Sequence, residues 1–215
     1  MRLRKVKGAI DRLKVDNNHY FIENPKDYKG KWQSLFNNNN PIHIEIGCGK
    51  GRFISTLAKE NPNINYIAIE KYDSVLLRTL EKVIDSNMSN LKLAIIDAAT
   101  ISEYFSENEV SRIYLNFSDP WHKNRNAKRR LTSYVFLPQY KTILVKNGEI
   151  HQKTDNINLF EYSLESFSYN GFLLKNISLD LHKELDKYPF NIETEFEEKW
   201  KTSGPIYRLE AVNNK

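Results

Sequence analysis

The sequence predicts one α/β domain: a mostly parallel sheet with helices on both faces. Three observations carry this reading. Between residues 42 and 153, five short apolar runs alternate with helix-like segments, the order that right-handed parallel crossovers require. The first run leads into Gly47, Gly49 and Gly51, a turn in which bare backbone passes from a strand into a helix. Three successive strands then end in, or just before, an acid: Glu70, Asp97 and Asp119.

Taken in order, the first 40 residues hold no clear sheet element and read as a basic arm with a short helix, with the main domain at 41–215. The asparagine run Asn37 to Asn40 before Pro41 reads as a solvated turn. Strands are expected at Ile42–Ile46, Ile64–Ile69, Leu91–Ile96, Arg112–Phe117 and Gly148–Lys153. Helices are expected at Arg52–Glu60, Asp73–Ser86, Ile101–Phe105 and Thr132–Lys146. In the second of these, Val75, Leu76, Leu77, Leu80, Val83 and Ile84 recur at helical spacing, which makes a face for packing on the sheet. Asn156–Ser168 also reads as a helix. Phe172–Leu179 and Ile206–Val212 are strand-like and could finish the sheet as a hairpin. Tyr162, Phe167 and Phe172 are expected in the core.

Composition narrows the function. A chain of 215 residues, 40% apolar and 27% charged, can bury a full core. Lys plus Arg number 32 against 27 Asp plus Glu, a net charge of +5. Much of that excess sits in two runs, Arg2 to Lys14 and Lys123 to Arg130. Either run alone could be a solvated face; the pair, beside a site-like loop, favours an anionic partner. Cys48 is the single cysteine, which excludes an intramolecular disulfide and fits a reducing compartment. The five histidines lack metal-ligand spacing, so no metal is expected. No apolar run approaches the roughly 20 residues of a membrane span, and no secretory leader is expected. The cytoplasm is the expected location.

The glycine loop is spaced G-x-G-x-G. Arg52 stands where a dinucleotide fingerprint would need its third glycine, which argues against a dehydrogenase. Glu70 follows Gly51 by 19 residues, where a carboxylate can accept hydrogen bonds from ribose hydroxyls. Two structural alternatives stay open: a ligand-free glycine turn, and Asp97 as a helix cap. The densest signal is the stretch from Asn116 to Arg130. There a strand ends in Asp119, Pro120 and Trp121, and five cations follow within eight residues: Lys123, Arg125, Lys128, Arg129 and Arg130. An acid at a strand end beside a phosphate-binding charge run points to an enzyme acting on nucleic acid.

The glycine loop, Glu70 and the acid after the third strand resemble class I S-adenosylmethionine-dependent methyltransferases. More narrowly, F-S-D-P-W-x-K followed by K-R-R-L resembles the bacterial tRNA (guanine-N7)-methyltransferase family. Y-K-G-K-W at Tyr28 to Trp32, H-I-E-I-G-C-G-K-G, K-T-D-N at Lys153 to Asn156 and T-E-F-E-E-K at Thr194 to Lys199 agree with it. The resemblance implies a Rossmann-like sheet of seven strands with the last antiparallel. It implies S-adenosylmethionine as donor and transfer to N7 of guanine 46 in the tRNA variable loop. It assigns Glu45, Gly47, Gly49, Glu70, Asp97 and Asp119 to the donor, with Asp119 also catalytic. Lys123, Asp155, Thr194, Glu195, Phe196 and Glu197 fall to the target nucleoside. Asn124, Arg125, Asn126, Ala127, Lys128, Arg129 and Arg130 fall to the RNA. A monomer or homodimer without membrane or metal partners fits.

The match departs from the family at His122, where a second proline is usual and would stiffen the loop. Trp121 could stack on the base or plug the loop onto the core. Asp155 could cap the helix that follows it, and Thr194 with Glu197 has capping-box spacing. Rival functions remain. A small-molecule methyltransferase would not need the cations, and a silent RNA-binding protein would not need Glu70 and Asp97.

Overall fold

A computed structural model describes residues 5–15 and 19–215; Arg2 and Arg4 of the basic arm lie outside these residues. The elements run α1 (Ala9–Val15), β1 (Phe21–Ile22), β2 (Ile42–Ile46), α2 (Arg52–Glu60), β3 (Asn65–Glu70), α3 (Asp73–Val83), β4 (Leu91–Ile95) and β5 (Val110–Asn116). They continue with α4 (Leu137–Ile143), β6 (Leu144–Thr154), α5 (Ile157–Tyr169), β7 (Phe172–Ser178), α6 (Glu195–Trp200) and β8 (Tyr207–Asn213). Among the described residues the strands form one sheet in the order β1-β4-β3-β2-β5-β6-β8-β7. From β1 to β6 the pairings are parallel; β8 runs antiparallel to both β6 and β7.

Alternation along β2 explains the two layers. Ile42, Ile44 and Ile46 enter the core that α4 and α5 cover, with Trp32, Tyr140, Phe160 and Phe167. Phe53, Ile54, Leu76, Leu77 and Leu80 of α2 and α3 pack on the opposite face, against Tyr66, Ala68 and Tyr114 of the sheet. β5 lies beside β2 on the side away from β3. The chain therefore runs outward from β2 through β3 to β4 and then crosses back to β5 on the other side of β2, and a crevice opens at the carboxyl ends of these strands.

Two expectations need correction, the strand count and the bounds of one helix. The sheet has eight strands rather than seven, because Phe21 and Ile22 pair with Leu93 and Ala94 of β4. Two residues are too few to display a period, so this edge element left no sequence signal. The arm does hold a short helix, α1, whose Ala9 and Leu13 are buried, and Lys14 pairs with Glu23. The helix expected over Thr132–Lys146 is helical only from Leu137 to Ile143. Pro138 fits the first turn of a helix but would break its interior, so the helix starts just before it. The last two strands finish the sheet as an antiparallel pair, as expected. The crossover through α5 sets β7 at the outer edge, and β8 returns through the slot between β6 and β7.

Candidate active site

The donor side of the crevice starts at the glycine turn. The N–H groups of Gly47 and Cys48 donate to the Ile69 carbonyl at 2.8 and 3.1 Å, which pins the turn to β3. The three glycines have φ of 78°, 60° and 78°, the left-handed region. They serve different ends. A Cβ on Gly51 would come within 2.9 Å of Cβ and Oγ1 of Thr79 and closer still to its Cγ2, so this glycine lets α2 approach α3. A Cβ on Gly47 or Gly49 would meet nothing within 4 Å, so their backbone faces open space.

Three carboxylates surround that space. Glu70 accepts from the N–H of Lys71 at 2.8 Å and of Gly49 at 3.4 Å, and burial raises its pKa. Asp97 accepts from the Ala99 N–H at 3.0 Å and pairs with Lys71 at 2.7 Å, which holds its pKa down. The capping alternative for Asp97 is thus realised, without removing it from the strand end. Glu45 is only 2% exposed and accepts from the Asn116 amide at 2.9 Å. Its other oxygen is buried with no partner among the described residues, and burial lifts its pKa to about 8.

The acceptor side is the loop after β5. Asp119 is exposed and makes no hydrogen bond or ion pair among the described residues. Phe117 at φ 50° and Trp121 at φ 44° bracket it. Bulky residues held there cost on the order of 1 kcal/mol or more each, a strain usually met where a side chain must be aimed. Lys123 precedes a 3₁₀ turn over Asn124–Arg129 in which no residue is buried. Asn126 and Ala127 are half-buried; Lys123, Asn124, Arg125, Lys128 and Arg129 are exposed.

Arg130 departs from the RNA-facing expectation. It is 7% exposed, donates to the carbonyls of Pro120 (2.9 Å) and Trp121 (3.4 Å), and lies 4.4 Å over the Tyr162 ring. It staples the loop from beneath. The Arg129 guanidinium covers the Trp121 ring at 4.6 Å, so the tryptophan packs within the loop. Asp155 is exposed as well. The cap of α5 is instead Asn156, which accepts from the Leu159 N–H at 2.9 Å.

A strap ending in α6 closes the third side. Thr194 and Glu197 form a capping box. Glu197 is fully buried and accepts from Lys153 (2.5 Å) and Asn191 (3.0 Å), with His182 Nε2 at 3.1 Å. The side chains of Thr194 and Glu197, expected at the nucleoside, are committed to this cap and strap. Glu195 pairs with Lys82 and Glu198 with Arg52. Of residues 194–197, Phe196 alone has an exposed side chain.

Sequence reasoning missed Lys153. Burial lowers its pKa, and it anchors the strap through Glu197, Asn191 and the Ile192 carbonyl. Its place at the end of a strand, in the K-T-D-N segment, was the available signal.

A cavity of about 720 Å³ lies elsewhere on the α2 side of the sheet, between the sheet, α2 and residues 187–192. It touches the crevice only at Asn116 and Lys153. Glu149, His151 and Glu210 there bring ligand-type atoms within 4.8 Å. Arg112, Lys175 and Arg208 already neutralise the two carboxylates, so the group is an ion-pair network.

The sheet order, the bare glycine turn and the acids at the ends of β3 and β4 define a class I S-adenosylmethionine-dependent methyltransferase. Solved structures share this fold. The 16S rRNA methyltransferase KamB matches with TM-score 0.65 at 12% identity, over 85% of this chain and 92% of that one. An antibiotic-related methyltransferase matches at 0.60 and 20%, over 87% and 92%. Residues 39–209 match a family model described as "Putative methyltransferase". The chain is 54% identical to the tRNA (guanine-N(7)-)-methyltransferases of Streptococcus agalactiae (98% of this chain, 99% of that protein) and Bacillus subtilis (98% of each). It is 55% identical to that of Listeria monocytogenes, again over 98% of each. This protein belongs to the tRNA (guanine-N7)-methyltransferase family.

Proposed function

We infer that this protein methylates N7 of a guanine in tRNA, guanine 46 of the variable loop, with S-adenosylmethionine as donor. The observation that carries the reading is the meeting, at one sheet edge, of a bare glycine turn, an unpartnered Asp119 and an exposed cationic turn. Full-length relatives named for this activity support it.

The residues fit the donor. Gly47 and Gly49 leave room for a ligand against the backbone, and the free buried oxygen of Glu45 suits an ammonium group. Glu70 would take the ribose hydroxyls, and Asp97 would stand at the base. Bound there, S-adenosylmethionine supplies a methyl group made electrophilic by the sulfonium.

Guanine N7 carries a lone pair at neutral pH, so it needs no general base. The protein has to hold N7 in line, and positioning alone can supply several kcal/mol of the barrier. As positive charge builds on the purine, Asp119 stabilises it as a fixed negative charge and acceptor. Lys123 and the 124–129 turn neutralise flanking phosphates, and Asp155 faces the nucleoside. Among the described residues no helix is long and apolar enough to cross a membrane, and work on tRNA fits the cytoplasm.

The test is to incubate the protein with an unmodified tRNA transcript and labelled donor, then map 7-methylguanine. Label at guanine 46, lost when that base is replaced, is the expected result. Label confined to another RNA or to small molecules would overturn it.

A further inference from the structure

Two aromatic rings, one after β5 and one on α6, pack on each other outside both core clusters. Phe117 and Phe196 have centroids 4.9 Å apart, and Trp200 follows at 5.9 Å from Phe196. Phe196 and Trp200 are 40% and 41% exposed, and none of the three belongs to either core cluster. Both rings of the pair are nonetheless firmly held. The Phe117 N–H donates to the Lys153 carbonyl at 2.8 Å, which fixes the left-handed backbone two residues before Asp119. Phe196 rides on α6, secured from inside by Glu197 on Lys153 and from outside by Glu195 on Lys82 and Glu198 on Arg52. A rigid pair of rings, Phe117 half-buried and Phe196 exposed, beside a free carboxylate and followed by a turn of cations without ion pairs, suits a flat base flipped out of a polyanion.

We propose that Phe117 and Phe196 form the face on which the target guanine lies, and that this face favours the base once it is methylated. The proposal rests on the N7-methylation reading above. In that reaction N7 gains a bond to the methyl carbon, the sulfur–carbon bond breaks, and its electron pair stays on sulfur. No proton moves, so the purine finishes with one positive charge. An aromatic face attracts cations through its quadrupole. Its attraction for the base therefore grows along the reaction, and an interaction stronger in the transition state than in the ground state raises the rate. Asp119 and the ring pair would act on the same growing charge, one from the edge and one from the face of the purine.

The experiment compares Phe117→Leu, Phe196→Leu and Phe196→Tyr with the parent protein, using melting temperature as a control for folding. Leucine keeps an apolar side chain and removes the ring; tyrosine keeps the ring. Single-turnover transfer into tRNA at saturating donor should slow about tenfold or more in each leucine variant and stay within about twofold in Phe196→Tyr. Tryptophan fluorescence should report tighter binding of 7-methylguanosine monophosphate than of guanosine monophosphate by the parent, a preference lost in the leucine variants. Parent-like rates in both folded leucine variants would overturn the proposal. So would a parent with no preference for the methylated nucleotide, even if the leucine variants fail to fold. Unchanged rates with altered sedimentation would assign the rings to a protein contact instead. Formation of 7-methylguanine by the parent tests the function itself, so a methylating parent with indifferent rings sinks only the ring proposal.

Discussion

On the donor side of the crevice Glu70, Asp97 and Glu45 are each tied to a backbone N–H, a lysine or an amide. On the acceptor side Asp119 and Asp155 are exposed, and Lys123, Arg125, Lys128 and Arg129 form no ion pair among the described residues. The contrast follows from what each side would hold. A small ligand is bound best by groups already fixed, since ordering them on binding costs affinity. A polyanion is bound by cations left free to displace its counterions. The acceptor side takes its order from beneath, through Arg130, Lys153 and Glu197.

The largest test of this contrast is Asp119. Asp119→Ala should lower the single-turnover rate on the order of a hundredfold or more, with donor affinity much less affected. Asp119→Asn keeps an acceptor oxygen and should lose less. The rate should stay level through neutral pH, because N7 has no proton to remove. Near-parent rates in Asp119→Ala would leave the residue as a turn former.

The glycines divide the donor side itself. Gly51→Ala collides with Thr79 and should cost about 2–3 kcal/mol in urea unfolding. Gly49→Ala meets open space and should cost only about 1 kcal/mol for its backbone conformation, while weakening S-adenosylhomocysteine binding in calorimetry. The opposite pattern would mean that Gly51, not Gly49, faces the ligand.

Buried Glu45 makes a signed pH prediction. Its folded pKa, about 8, lies above the ordinary 4.5, so the folded state holds an extra proton between these values. That stability is complete below pH 4.5 and is lost as pH rises through 8, on the order of a few kcal/mol. His43 works the other way: burial lowers it to about 3 from 6.5, so its stability is present above pH 6.5 and lost as pH falls. Glu45→Gln should therefore flatten the fall in stability between pH 4.5 and 8 and leave the loss at lower pH. An unchanged fall over that window would place the Glu45 carboxyl in contact with water.

The smallest expected effects separate two neighbouring arginines. Arg129→Ala should reduce the log–log salt slope of tRNA binding by about 0.7–0.9 and spare stability. Arg130→Ala should instead cost about 1–3 kcal/mol of stability, because two loop carbonyls lose their donor. A full salt-slope loss from Arg130→Ala would return that residue to the RNA face.

Some features were legible because their causes are local. The bounds of β2 and α2 match the sequence reading, since alternation, Pro41 and the glycine turn mark them within a few residues. The capping box of Thr194 and Glu197 was visible as a spacing. The charge run over Lys123 to Arg130 was visible as charge, but nothing in its order tells the inward arginine from the outward one. Asp155 and Asn156 are adjacent candidates for one cap, and only the chain's entry into α5 selects Asn156.

By itself the sequence determined the strand–helix alternation, the glycine turn, the acids at strand ends and the basic loop. These depend on backbone preference and patterning over a few residues. The tertiary structure alone decided which charges face the crevice. Burying a charge requires a partner, and the partners come from far along the chain. Lys153 meets Glu197 at a separation of 44 residues, and Arg130 rests on Tyr162 of α5. The place of β8 between β6 and β7 was settled the same way, since hydrogen bonding between strands depends on which edges the completed sheet leaves open.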